Sequence, residues 1–84
     1  MRIFYITFRS VTYAQRGEQI LQEAGIRCTL QRTPRWMERQ GCGYCLRLWT
    51  KEVNPAVSLL QKQQIPYRKV YIQGRDGQLE EITV

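Results

Sequence analysis

Two cysteines three positions apart are the residues best suited to covalent chemistry in this chain. They lie in the segment Gly41-Cys42-Gly43-Tyr44-Cys45. The sequence contains no His, and Lys side chains stay protonated near neutral pH, so thiols are the only good nucleophiles available. If the protein forms a covalent intermediate, we expect it at this Cys-x-x-Cys segment.

The composition predicts one small domain, residues 1–84. The chain has 84 residues, 43% of them hydrophobic, which is enough for one modest core. A mean hydropathy of -0.47 and the lack of a long apolar run predict no transmembrane helix. The N-terminal segment also lacks the order of a signal peptide, so we expect a cytoplasmic protein.

An odd number of cysteines predicts reduced thiols. The chain has three, Cys28, Cys42 and Cys45, and we expect no disulfide scaffold without export signals. A closed zinc site needs four Cys or His ligands, so we expect no structural metal and no cofactor. A net charge of +6 favours anionic partners, or simply solubility, and the charge alone does not choose between them.

The first half of the chain predicts a strand, a helix and a second strand. Residues 2–8 are dense in β-branched and aromatic residues, as in a central strand. Ser10 is a good N-cap for a helix that runs to Ala24, with Gly25 as the residue after its end and Gly17 approaching the sheet closely. Residues 26–32 alternate as a half-buried strand, in which Cys28 faces the core.

The second half repeats the pattern. Residues 44–50 predict a third strand, and Asn54 and Pro55 predict the N-cap and first residue of a second helix. Residues 66–73 predict a fourth strand. Residues 75–78 predict a hairpin turn that leads into an edge strand at 79–84. Two βαβ halves joined by a hairpin give an α+β fold, the ferredoxin-like βαββαβ sandwich, with two helices on one face of an antiparallel sheet. A short C-terminal edge strand extends it.

This topology places residues 33–43 at the same end of the sheet as Ser10. We therefore expect Cys42 to face the start of the first helix, where Arg9, Arg35 and Arg39 add positive charge. From Arg32 to Lys51 there are five basic residues and one acidic residue. Positive surroundings lower the pKa of a thiol, and Gly41 and Gly43 leave room for a partner to approach.

Cys45 is expected on the helix-free face of the sheet, beside Arg47 and Trp49. From there it could form a reversible disulfide with Cys42. The pair opens a strand rather than a helix, so the arrangement differs from that of thioredoxin. Two incidental small residues in a tight turn are the competing interpretation.

Several short motifs, in this order and spacing, carry a resemblance to a known family. They are Phe8-Arg9-Ser10, Leu21-Gln22-Glu23-Ala24-Gly25-Ile26, Thr33-Pro34-Arg35, and Gly41-Cys42-Gly43 leading to Leu46-Arg47. The chain up to about Tyr71 resembles the selenium/sulfur (Se/S) carrier protein-like family of small bacterial domains.

The resemblance implies a non-enzymatic thiol carrier rather than an enzyme. Cys42 matches the family's Cys-Gly motif and would hold sulfur or selenium as a persulfide or selenosulfide for transfer to a partner enzyme. The implied partners are donor and acceptor proteins. Cys45 stands where a small residue such as Ala is expected, which leaves open a resolving role or a simple variant.

Two other functions and one assembly stay open. A Cu(I) shuttle would use both thiolates, although copper chaperones of this fold class carry the pair after the first strand. RNA could bind the open sheet face through Tyr5, Arg47 and Trp49. The sequence lacks the aromatic-rich motif of RNA-recognition domains, so nucleic acid is not the expected partner. The same face could bury a homodimer contact, and no membrane partner is expected.

Overall fold

Two helices and a five-stranded antiparallel sheet form an α+β fold. The computed structural model describes residues 1–33 and 43–83. In chain order its elements are β1 (Arg2–Phe8), α1 (Val11–Glu23), β2 (Arg27–Arg32), β3 (Tyr44–Thr50), α2 (Asn54–Lys62), β4 (Val70–Gln73) and β5 (Leu79–Ile82). The prediction of an α+β fold with an additional C-terminal strand is confirmed.

Strand β1 lies in the middle of the sheet, whose order is β2-β3-β1-β4-β5. All seven residues of β1 pair with β3, from Arg2 opposite Thr50 to Phe8 opposite Tyr44. On its other side β3 pairs with β2, where Arg32 lies opposite Tyr44. The ends of β1 and β2 and the start of β3 therefore meet at one end of the sheet.

The core lies between one face of the sheet and the two helices. Alternate residues of β1 and β3, including Ile6, Phe8 and Leu46, are fully buried and belong to one cluster with residues of both helices, among them Leu60. A Cβ added to Gly17 would lie 3.3 Å from side-chain atoms of Leu46, Leu60 and Phe8. Gly17 therefore allows α1 to approach the sheet closely, as the sequence predicts.

The two helices begin differently. The hydroxyl oxygen of Ser10 accepts a hydrogen bond of 3.1 Å from the Thr12 amide, which confirms the predicted N-cap of α1. The predicted N-cap Asn54 is wrong, because the residue before the helix is Val53, whose backbone is already helical and which forms no side-chain cap. Val53 is only 5% exposed and packs in the core. Because this packing holds Val53 in a helical conformation, the helix begins at Asn54, one residue before the predicted start at Pro55.

Strand β4 is shorter than the predicted 66–73. It begins at Val70 because Arg68 and Lys69 both oppose Thr7 in an arrangement like a β-bulge. The Arg68 amide donates to the Thr7 carbonyl at 2.7 Å, and the Thr7 amide donates to the Lys69 carbonyl at 2.9 Å. The Lys69 amide instead donates to the Thr7 hydroxyl at 3.0 Å, so a side chain interrupts the regular ladder.

The predicted hairpin between β4 and β5 is confirmed. The Gly74 amide donates to the Gln78 carbonyl at 2.8 Å, and Gly77 has φ +82°, the left-handed conformation that such a turn needs. Strand β5 spans Leu79–Ile82, shorter than the predicted 79–84, and Val84 lies outside the described residues.

Both helices end in the same way. The Ile26 amide donates to the Leu21 carbonyl across Gly25, and the Ile65 amide donates to the Leu60 carbonyl across Gln64, both at 2.9 Å. These are Schellman motifs, in which the residue after the helix is left-handed. Gly25 has φ +84° and Gln64 has φ +59°, so the second helix places a non-glycine residue in a glycine conformation.

We expect Gln64→Gly to raise the free energy of unfolding by about 0.5–1 kcal/mol, because glycine adopts the left-handed conformation without steric cost. Urea unfolding followed by Trp fluorescence measures the change. The matched control is Gln63→Gly, where φ is -88° and the same substitution should destabilise the protein. Equal destabilisation by both variants would contradict the strained cap.

Candidate functional site

Nine residues form the predicted site, and the structure describes five of them. Arg35, Arg39, Gly41 and Cys42 lie in residues 34–42, outside the described residues. The described members are Arg9, Ser10, Gly43, Cys45 and Arg47.

Three of these five lie at the same end of the sheet. Gly43 precedes β3, and its carbonyl accepts a hydrogen bond of 3.0 Å from the Thr33 amide. The next residue, Tyr44, is the partner of Phe8, which Arg9 and Ser10 follow. The two ends of the predicted 33–43 loop, Thr33 and Gly43, therefore lie at the Ser10 end of the sheet, and the rest of that loop lies outside the described residues.

Cys45 lies on the helix-free face, as predicted, and is fully buried there. Its backbone partners are Thr7 in β1 and Gln31 in β2, and none of its surface is exposed. Burial raises the pKa of the Cys45 thiol, while a hydrogen bond from the Thr33 side chain acts to lower it. Thr33 Oγ1 finds no partner at ordinary hydrogen-bond geometry within residues 1–33 and 43–83, so its interaction with the thiol is weak.

Cys28 is a core thiol, which confirms the prediction. It is 5% exposed, and its Sγ lies 3.7 Å from the Glu18 carbonyl oxygen. Burial, followed by the nearby Glu18 carboxylate, raises the pKa of Cys28 to about 11. The same carboxylate accepts a hydrogen bond of 2.9 Å from the Leu30 amide, which ties α1 to the edge strand β2.

Arg47 neighbours Cys45 on the helix-free face, but its guanidinium is directed to an aromatic ring. Its Cζ lies 4.5 Å from the centre of the Trp49 ring, and Arg27 Cζ lies 5.5 Å from the same ring. These cation–π contacts stabilise the face. Because the protein's own arginines already lie over Trp49, the ring is poorly placed to stack on an RNA base.

A cleft beside Arg9 is lined mostly by residues that were not among the predicted site residues. It is lined by Arg9, Tyr13, Pro66, Tyr67, Arg68 and Lys69 and has a volume of about 590 Å³. The signal available in the sequence is the run Pro66-Tyr67-Arg68-Lys69, where an aromatic residue precedes two cations. Its nearness to Arg9 follows only from the pairing of Thr7 with residues 68 and 69.

The described part of the chain shows neither a metal-binding cluster nor a membrane-spanning helix. Within residues 1–33 and 43–83, no three His, Cys, Asp or Glu side chains are grouped closely enough to hold a metal ion. None of the helices in these ranges has the length and apolar character needed to cross a membrane.

Comparison with known protein families finds a match over most of the chain. Residues 4–72 match the family described as Putative Se/S carrier protein-like. The match covers both helices and the strands from within β1 to within β4, and it includes the Cys-x-x-Cys segment. No curated protein and no solved structure matches the chain.

We expect the stability of the protein to fall as the pH rises from 8 to 10.5. The Cys28 thiol ionises near pH 9 when the chain is unfolded but near 11 when it is folded. The unfolded state therefore loses its proton first, which costs about 2 kcal/mol of unfolding free energy at pH 10.5. Urea unfolding at both pH values should show a smaller fall for Cys28→Ala, and equal falls in the two proteins would contradict this account.

Proposed function

Because the chain belongs to the Putative Se/S carrier protein-like family, we propose that it carries sulfur or selenium on the thiol of Cys42. The cargo is held as a persulfide or a selenosulfide and passed to a partner enzyme. The donor and the acceptor are other proteins, and the exchange takes place in the cytoplasm.

The burial of the other two thiols is the observation that supports Cys42 most directly. Cys28 is 5% exposed and Cys45 is not exposed at all. Burial raises the pKa of both thiols, so neither supplies a thiolate at neutral pH. Cys42 is the remaining thiol, and it stands in the Gly-Cys-Gly segment that the family match includes.

The proposed loading step is an exchange between sulfur atoms. The Cys42 thiolate attacks the outer sulfur of a donor persulfide, R–S–SH, and a new S–S bond forms as the donor's S–S bond breaks. The donor leaves as the thiolate R–S⁻, the outer sulfur keeps its proton, and there is no net oxidation. In the transfer step, a nucleophile of the acceptor attacks the same outer sulfur and releases the Cys42 thiolate.

Positive charge is proposed to keep Cys42 ionised. Arg9 follows the end of β1, next to the strand that begins just after Gly43. The start of α1 at Ser10 lies at this same end and carries partial positive charge. Arg35 and Arg39 precede Cys42 in the sequence and are proposed to add to this field.

The burial of Cys45 weakens both roles that require it as a reactive group. A resolving thiol must reach the loaded sulfur, and a Cu(I) shuttle needs two accessible thiolates. A fully buried thiol with a raised pKa meets neither requirement in this conformation. We therefore assign the cargo to Cys42 alone and a packing role to Cys45.

The order of the first four strands supports the ferredoxin-like assignment. Strands β2-β3-β1-β4 are adjacent in that order, with α1 connecting β1 to β2 and α2 connecting β3 to β4. Each helix thus links two strands that are separated by one antiparallel strand, as in a split βαβ unit. Strand β5 extends the sheet beyond β4, and residues 1–84 are proposed to form one domain.

Loading can be tested by intact-mass spectrometry after incubation with a low-molecular-weight persulfide donor. We expect the mass to increase by one sulfur atom, with the adduct mapped to Cys42 after blocking and digestion. Cys42→Ala should lose the adduct because no other thiol is accessible. Cys28→Ala and Cys45→Ala are the matched controls and should retain it.

Two results would overturn the proposal. One is an unmodified wild-type protein under conditions that load a small-molecule thiol. The other is an adduct that persists in Cys42→Ala. Loss of the adduct only in Cys45→Ala would move the cargo to the buried thiol.

A further inference from the structure

The cleft between the start of α1 and the segment before β4 has the size of a small-molecule site. Its volume is about 590 Å³, within the range of roughly 300–1,000 Å³ found for ligand pockets. One wall contains Arg9 and Tyr13, and the other contains Tyr67, Arg68 and Lys69.

The wall formed by residues 67–69 is held in place by hydrogen bonds. Thr7 is 1% exposed and bonds to the backbone of Arg68 and Lys69 through its amide, carbonyl and hydroxyl groups. The Tyr67 hydroxyl accepts a hydrogen bond of 3.1 Å from Gln61 Nε2, which orients the Tyr67 ring. A wall that is ordered before binding reduces the entropy cost of binding a ligand.

The charge of the lining favours an anion. Three of the six lining residues are cations, and none of the six is acidic. Lys69 Nζ lies 3.8 Å from a Glu81 carboxylate oxygen, but both side chains are about half exposed, so this ion pair is weak and easily exchanged. Arg9 is exposed and has no ion pair within the described residues.

The aromatic residues of the lining favour a ligand with a flat ring. Tyr13 is 39% exposed, which is high for a large side chain with so much apolar surface. Tyr67 is partly buried on the opposite wall. Flat rings stack on such side chains, and phosphate groups pair with Arg and Lys.

We propose that this cleft binds a small phosphorylated ligand that also carries a flat ring, the chemical class of the mononucleotides. The phosphate groups contact Arg9 and Lys69, and the ring stacks on Tyr13. This binding goes beyond the carrier function, because it uses neither Cys42 nor any other thiol.

Isothermal titration with ADP tests the proposal, with pyrophosphate and adenosine as probes for the anion and the ring alone. We expect ADP to bind more tightly than either probe. Arg9→Gln and Lys69→Gln should each weaken ADP binding about fivefold or more, since each removes a charge-assisted contact. Tyr13→Leu should weaken it about tenfold, the usual effect of losing one stacked ring.

Matched controls separate binding from folding. Arg75→Gln removes an exposed cation from the turn between β4 and β5 and should bind ADP as the wild type does. Tyr13→Phe keeps the ring, so it should weaken ADP binding less than Tyr13→Leu does. Cys42→Ala should bind ADP unchanged, so a failed carrier function and a failed ligand site give different results.

Three outcomes would overturn the proposal. The first is no heat of binding with ADP at millimolar concentration. The second is pyrophosphate binding as tightly as ADP, together with normal binding by Tyr13→Leu, which would indicate a site for anions alone. The third is ADP binding that Arg9→Gln and Lys69→Gln leave intact, which would place the ligand elsewhere.

Discussion

The pairing of β1 with β3 is the constraint on which the rest of the structure depends. Seven consecutive residue pairs join the two strands, from Arg2 and Thr50 to Phe8 and Tyr44. Because side chains alternate between the two faces of a sheet, this one register decides that Ile6 and Leu46 face the helices and that Thr7 and Cys45 face away. It also fixes Gly43, next to Cys42 in the sequence, at the end of β1 where Arg9 and Ser10 begin the turn into α1.

The same register separates the thiols by their surroundings. Cys28 joins the core beneath α1, and Cys45 is enclosed on the opposite face together with Thr7, Thr33 and Gly43. Loss of water disfavours the thiolate form at both places, so the two thiols serve as small packing groups. The proposed carriage of sulfur on Cys42 would benefit from this arrangement, because buried thiols are shielded from disulfide exchange.

Elements with strong local signals were predictable from the sequence. The bounds of β1 follow from its run of β-branched and aromatic residues, and those of β3 from the alternation of its two faces. Ser10 and Gly25 mark the ends of α1 by well-understood backbone chemistry. The end of α2 carries no comparable signal, since Gln64 adopts the left-handed conformation that Gly25 adopts. The burial of Val53 likewise overrides the local preference of Asn54 for the N-cap.

The site was less predictable because it depends on contacts between distant residues. The face on which Cys45 lies follows from alternation, but its complete burial does not, because Arg47 and Trp49 on the same face of β3 stay partly exposed. The cleft depends on Thr7 bonding to residues about sixty positions away. Neither the burial of Cys45 nor the hydrogen bonding of Thr7 produces a recognisable pattern in the sequence near Cys42 or Arg9.

The most direct test of the central claim is the alkylation rate of each thiol in the folded protein between pH 5 and 9, measured by peptide mapping with iodoacetamide. The account predicts that Cys42 reacts in the native state with an apparent pKa below about 8.5, the ordinary value for a thiol. Cys28 and Cys45 should react only after the protein is unfolded in urea. Native alkylation of Cys45 at the rate of Cys42, or a Cys42 that stays unreactive until unfolding, would contradict it.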